Sequence, residues 1–410
     1  MLPNIQRDRL FLASRIALIA TAMTFAFRAA LEGIWGSEFT LSKEQVGWIF
    51  APAFWGFTLA QIFGGSLVDI LGMKKLLGIA FISQLAGIVT YLIAKDSTTL
   101  FIGTVFIGIG NGMVEAACNP LVVTLYPENK TTMLNRFHVW FPGGIALGGV
   151  LSYLMVDKMH LDWRILICTL FIPVIIYGII FWRLELPKTE RVAKGISTKE
   201  MFASCLNPLY LVMLVCMLMT AATELGTGTW INALLSGSGV SGIIILVFIN
   251  GIMALGRSFA GPVVHRINPN GMLIFSAVFS GLGLLLLSQS SGYAAFGSAL
   301  VFAVGICFFW PTMLGFVSEY LPKTGALGLN LMGGGGMFSV SLIIPIMGRW
   351  FDEAKTKAVA AGIDPVTADA TAGSNTFLKV AVMPLILIVV FSVIYIVRRK
   401  YYQKEAVQTV

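Results

Sequence analysis

The stretch from Gly108 to Gly144 reads GIGNGMVEAACNPLVVTLYPENKTTMLNRFHVWFPGG. It begins inside a long apolar run, in which Asn111, Glu115 and Asn119 follow one another four residues apart. That spacing places a carboxylate between two amides on one face of a helix. Polar groups are costly on an apolar segment of membrane length, so something must solvate them: a water-filled cavity, a partner side chain, a ligand or a proton.

The rest of the chain sets the context. It has 410 residues, of which 57% are hydrophobic and 12% charged, and a mean hydropathy of +0.85. Soluble domains carry roughly 25% charged residues, so this is an all-α integral membrane protein. Its net charge of +8 gathers at the ends of the apolar runs, which points to a lipid bilayer and not to nucleic acid. The N-terminus, MLPNIQRDRLFLASR, lacks a small-residue cleavage site. Cys118, Cys168, Cys205, Cys216 and Cys307 form no CxxC pair, and His138, His160 and His265 have no metal-ligand spacing. No metal, disulfide or cofactor is expected. There is no GxxxxGK[ST] loop for ATP and no GxSxG nucleophile, so no enzyme is expected either.

A membrane helix needs roughly 20 mostly apolar residues. Twelve such runs lie near 11–36, 44–70, 75–94, 99–126, 136–157, 163–183, 207–235, 238–266, 271–290, 293–320, 324–352 and 376–398. Most Lys and Arg fall in the tails and the even-numbered gaps, which by the positive-inside rule makes both termini cytoplasmic. The polar, basic gap LELPKTERVAKGISTKEMFASCL bisects the chain. The expected organisation is an N-terminal six-helix bundle (1–184), a cytoplasmic linker (185–206) and a C-terminal six-helix bundle (207–410). The segment from Asp352 to Asn375 is expected to be the longest outside loop.

The halves repeat at an offset of 195: Gly33 with Gly228, Trp35 with Trp230, Gly110 with Gly305, Pro127 with Pro322, and Asn135 with Asn330. Two six-span halves related in this way suggest a secondary transporter with its site at the repeat interface. Between the second and third runs, GGSLVDILGMKK sets Gly65, Asp69, Gly72 and Lys74 at the spacing Gly-x3-Asp-x2-Gly-x-Lys. Gly65 permits close helix contact, Asp69 can pair with a base or cap a neighbouring helix, Gly72 allows a turn, and Lys74 can anchor the next helix to headgroups. This resembles the loop signature of the major facilitator superfamily, departing from it at Ile70, where that family usually has a base. There these residues serve gating and stability, and its members usually work as monomers.

The opening stretch, with FTLSKEQVGWI, Trp310-Pro311-Thr312, Leu255-Gly256-Arg257 and LNLMGGGGMFSVSLIIPIMGRWFD, resembles the fucose–galactose–glucose:proton symporter family. The resemblance implies that Glu115 binds sugar and couples it to a proton or sodium ion. A buried carboxyl that can take up a proton and accept hydrogen bonds from hydroxyls fits the same role, while a fixed ion pair with a base such as Arg28 is the structural alternative. Asn111 and Asn119 offer donor and acceptor to a sugar or hydrogen-bond neighbouring helices. Proline at 120 frees the carbonyl near Ala116. Asn135, Asn330 and Arg257 are candidate gate residues, Arg257 also as an ion pair.

The first run carries Arg28 and Glu32 four apart. The family's coupling carboxylate aligns with Ala29, so Glu32 or a different arrangement must replace it, a self-satisfied Arg28–Glu32 pair being the alternative. The seventh run offers Glu224, Trp230 and Asn232, with Trp35 as the repeat mate of Trp230 and Trp310 as a further aromatic. Indole stacks on sugars, but also forms interfacial belts. The function expected is import of a hexose or 6-deoxyhexose by proton or sodium symport, in a bacterial inner membrane. The alternative is a carrier or exporter of an organic anion, sugar acid or drug, which Arg28 favours.

Overall fold

The computed structural model describes the backbone of residues 4–41, 43–234 and 242–408, and the side chains of 5–41, 45–231 and 244–397. Among these, eleven helices are long and apolar enough to cross a membrane, and a twelfth apolar helix is shorter. In chain order they are α1 (Ile5–Glu38), α2 (Gln45–Leu71), α3 (Met73–Leu92), α4 (Ser97–Leu125), α5 (Lys130–Lys158), α6 (Trp163–Arg183), α7 (Pro208–Ile231), α8 (Ile244–Ser258), α9 (Ala260–Leu287), α10 (Ala294–Tyr320), α11 (Pro322–Ala360) and α12 (Pro365–Val397). A connector between α6 and α7 carries two short helices, Glu190–Ala193 and Thr198–Cys205. No strand occurs among the described residues.

Two boundaries differ from the sequence reading. The α9 helix is broken at Asn268 (φ 54°, ψ 170°), just before Pro269. Its first residues therefore extend α8 through Phe259 (φ −98°, ψ 13°), and the chain reverses at Asn268. The segment from Asp352 to Asn375 is not a loop. Its good helix formers carry α11 to Ala360, Gly362 turns the chain at φ 82°, and Asp364 accepts hydrogen bonds from the backbone N–H groups of Val366 and Thr367 to start α12.

Each half packs mainly on itself, α4 against α2 and α3, α1 against α5, and α9 against α10 and α12. The halves meet where α2 lies on α11 and where α5 lies on α8 and α10. Ile70, Ile82, Ile172, Trp182 and Val389 are exposed on the outside, as expected of a surface that faces hydrocarbon.

Candidate functional site

A cavity of about 850 Å³ opens between the halves. Its lining comes from the last turns of α1 and α7, the first turns of α2 and α8, the middle of α11, and Phe141, Ile145, Phe302 and Ile306 of α5 and α10. Those ends lie at the face opposite the connector. The size suits a small solute.

Arg28 and Glu32 both line this cavity, but no ion pair joins them. The Arg28 guanidinium instead lies 4.7 Å from the ring centroids of Phe25 and Phe54 and 5.8 Å from that of Phe50. Glu32 is exposed at the mouth. Trp230 lines the cavity too, its Nε1 donating to the Ile344 carbonyl at 3.0 Å. The side chain of Asn232 lies outside the described residues.

Two expected ligands lie elsewhere. Trp35, the repeat mate of Trp230, is 1% exposed and packs against Phe50, Tyr91 and Trp163, with ring centroids 5.2–5.6 Å away. Those neighbours, from α2, α3 and α6, fill the space that the cavity occupies beside Trp230. Asn111 is spent inside the first half: its Nδ2 donates to Thr24 Oγ1 at 2.9 Å, and its Oδ1 accepts from Gln84 Nε2 at 2.8 Å.

The cavity ends on a buried polar chain that crosses the interface. Asn119 Nδ2 donates to Glu115 Oε2 at 2.5 Å, and His138 Nε2 donates to Asn119 Oδ1 at 3.1 Å. The His138 backbone carbonyl accepts from Arg257 Nη1 at 3.0 Å. Arg257 Nη2 in turn holds Glu224 Oε1 at 2.9 Å, the two side chains being 1% and 5% exposed. Among the described residues no basic side chain lies at ion-pair distance from Glu115, so the fixed pair with Arg28 is not formed. A void of about 20 Å³ touches Glu115, His138, Glu224, Arg257 and Trp310, enough for about one water. Glu115 and Trp310, which occupy equivalent positions in the repeat, thus face the same space. Glu224 sits in a single turn of π-helix, Ala222–Gly226, a form frequent at functional sites. Its Oε2 is buried and has no side-chain hydrogen-bond partner, with the Trp310 backbone N–H beside the carboxylate.

Proline explains how these helices bind one another. A proline leaves the carbonyl four residues earlier without its helical donor. Pro120, Pro142 and Pro311 free Ala116, His138 and Cys307 in this way. All three carbonyls are taken by side chains: Ala116 by Asn330 Nδ2 at 3.1 Å, His138 by Arg257 Nη1 and Cys307 by Arg257 Nε at 2.6 Å. The sequence placed the first vacancy but not its occupant, and it missed His138, Pro142 and Cys307. Counting back four residues from each proline within a span would have marked them.

Below this floor the connector face is shut. Asn135 Nδ2 reaches Thr312 Oγ1 at 3.3 Å, as its repeat mate Asn330 reaches Ala116. Glu319 Oε1 accepts from the N–H and Oγ1 of Thr131 at 3.0 and 2.7 Å, capping the start of α5 from the other half. A Cβ on Gly65 would lie 2.4 Å from Asn330 Cβ, and one on Gly315 2.8 Å from Thr131 Cα, so both contacts need glycine. Asp69 pairs with Arg191 Nε at 2.6 Å and accepts from Thr189 Oγ1; its base comes from the connector. Gly72 makes the turn from α2 to α3 at φ 83°. Lys74 does not reach for headgroups: its Nζ donates to the Trp182 and Leu184 carbonyls at 3.0 Å, closing the end of α6. Lys130 Nζ holds Glu190 at 2.8 Å. Burial alone would raise the Glu190 carboxyl, but Lys130 and Lys194 beside it hold it below the usual carboxylate range.

The described residues contain no group of three His, Cys, Asp or Glu arranged to hold a metal ion. The arrangement is that of a solute cavity over a closed gate.

Comparison with known proteins agrees. An Arabidopsis thaliana protein named probable anion transporter 6, chloroplastic, is 28% identical over 123 residues, 30% of this chain and 23% of its own length. The D-xylose-proton symporter-like 2 of the same plant is 22% identical over 77% of this chain and 61% of its own length. The chain thus spans under two thirds of these relatives, and the chloroplastic name of the first lends no support to a bacterial inner membrane. The solved E. coli fucose:proton symporter superposes with a TM-score of 0.71 at 15% identity, covering 93% of this chain and 99% of that one, which shows a shared fold. Residues 14–343 match the Major Facilitator Superfamily, and with twelve apolar helices around a cavity between two halves, the chain belongs to that family of transporters.

Proposed function

We propose that the protein is a secondary transporter that takes up a solute of monosaccharide size together with a proton or sodium ion, by alternating access. The observation that carries this reading is Glu115, 2% exposed, hydrogen-bonded to Asn119, bordering the void beneath the cavity and without an ion-pair partner among the described residues. A buried carboxylate without a counter-ion is costly, and a bound cation relieves the cost. The positive-inside rule supports the connector face as cytoplasmic, so the cavity faces outward, the state from which an importer loads its solute. Sugar and cation that favour the same closed state tighten each other by reciprocity.

Uptake of labelled monosaccharides into proteoliposomes, with an imposed proton or sodium gradient, tests this. One of the two gradients should raise the accumulation ratio above unity. If neither does for any solute of this size, coupled symport is wrong. Running the assay with and without sodium identifies the cation.

A further inference from the structure

We infer that the solute is an acidic sugar, an aldonate or uronate, whose carboxylate binds Arg28 and whose hydroxyls are received by Glu224. The inference rests on the transporter reading above and names its substrate class. Arg28 lines the cavity with no hydrogen bond or ion pair among the described residues. Its contacts are the three phenylalanine rings. Ring faces attract the charge but accept none of the guanidinium's five N–H bonds as a carboxylate does. Glu32, one turn on, lines the same space without closing on it. At membrane depth a cation normally has a partner, as Arg257 has Glu224. Arg28 is set to receive its partner from the cavity.

The second observation concerns the facing half. Glu224 borders both the cavity and the void beneath it. Its Oε1 belongs to Arg257, while its Oε2 is buried and takes no side-chain donor, the Trp310 backbone N–H being the group beside the carboxylate. An ionised carboxylate only accepts, so this oxygen calls for a hydroxyl or amine. Trp230 adds a flat apolar face to the same cavity, suited to the C–H face of a sugar. A neutral hexose would supply donors to Glu224 but leave Arg28 without an anion. A simple fatty acid would do the reverse. A polyhydroxy acid satisfies both groups.

The test is ligand binding to the full-length protein in detergent at pH 7, read by tryptophan quenching, since Trp48, Trp55 and Trp230 line the cavity. The probes are gluconate, galactonate and glucuronate, the neutral sugars glucose, galactose and fucose, and hexanoate. At least one sugar acid should bind about tenfold or more tightly than its neutral counterpart and than hexanoate. Arg28→Gln should weaken that acid by about tenfold or more, and by more than it weakens the neutral sugars, and Arg28→Lys should fall between. Should Arg28→Gln fail to fold, the partial loss in Arg28→Lys carries the test. The inference is overturned if a neutral sugar binds as tightly as every acid, or if neither Arg28 variant weakens the acid. Neutral sugars that bind and accumulate would then leave the symport reading standing. Hexanoate binding as tightly as the acids removes the role of Glu224 and overturns the sugar-acid class. Binding of no probe overturns both readings.

Discussion

The side-chain amide of Asn330 donates to the backbone carbonyl of Ala116 at 3.1 Å, across the two halves, and that carbonyl is vacant within its own helix because residue 120 is proline. The broken helix bond and the interface bond are one feature. Pro120→Ala would return an N–H to Ala116 and compete with Asn330. Interhelical hydrogen bonds in membranes contribute about 0.6 kcal/mol, up to about 1.7. Asn330→Ala should therefore cost about 1 kcal/mol. In a double-mutant cycle with Pro120→Ala the two effects should be non-additive by a similar amount, measured by reversible unfolding in detergent. Strict additivity would separate the proline from the contact.

The Glu224–Arg257 pair predicts a different pattern. Removing one member of a buried pair leaves an uncompensated charge and costs about 3–5 kcal/mol. Glu224→Gln and Arg257→Gln should each destabilise the protein by that order in thermal melts. The double variant should be more stable than either single one. If the double variant is worse than both, the pair is not the main source of the loss.

Glu115→Gln removes the charge and keeps the shape. It should abolish accumulation against a gradient yet spare counterflow exchange of the same solute. Wild-type accumulation by this variant would remove Glu115 from coupling.

The latch under the floor has a pH signature. The Glu190 carboxyl is held below its ordinary 4.5 by Lys130 and Lys194, whose pull outweighs the opposing effect of burial. A depressed carboxyl stabilises the folded contact above the ordinary value, and that stabilisation is lost as pH falls through the folded value. The Lys130–Glu190 contact should thus hold from neutral pH down to about 4.5 and weaken only below it. Tryptic nicking at the connector, at pH 7.5, should be slow in the wild type and at least about threefold faster in Arg191→Gln, which frees Asp69. Equal rates would show that Arg191 does not hold the connector down.

Much of this was readable without coordinates, for definable reasons. Length and hydropathy mark the helices because lipid leaves a spanning chain little choice. The four-residue spacing of Asn111, Glu115 and Asn119 placed them on one face, but not which neighbour each meets: Asn111 turned to Thr24 and Gln84, Asn119 to His138. Trp35 and Trp230 occupy equivalent positions, yet only Trp230 sees the cavity. Rotation of a helix that is apolar all round leaves no trace in its periodicity. Arg28 and Glu32 are neighbours by spacing, but the phenylalanines of α1 and α2 hold Arg28 away. The Asp352–Asn375 stretch looked like a loop because it is polar, while its helix propensity was the stronger signal.

The connector is drawn into the closed face from both sides. Arg191 holds Asp69 of the first half, while Lys323 of the second reaches Glu200 at 2.8 Å. Mechanically the molecule has three bodies, not two, and the third is a tether pinned to each of the others. Inserting a flexible segment after Gly195 would lengthen the tether without touching the cavity. Its length then becomes a dial for how long the carrier rests open to one side, separate from how tightly it grips its cargo.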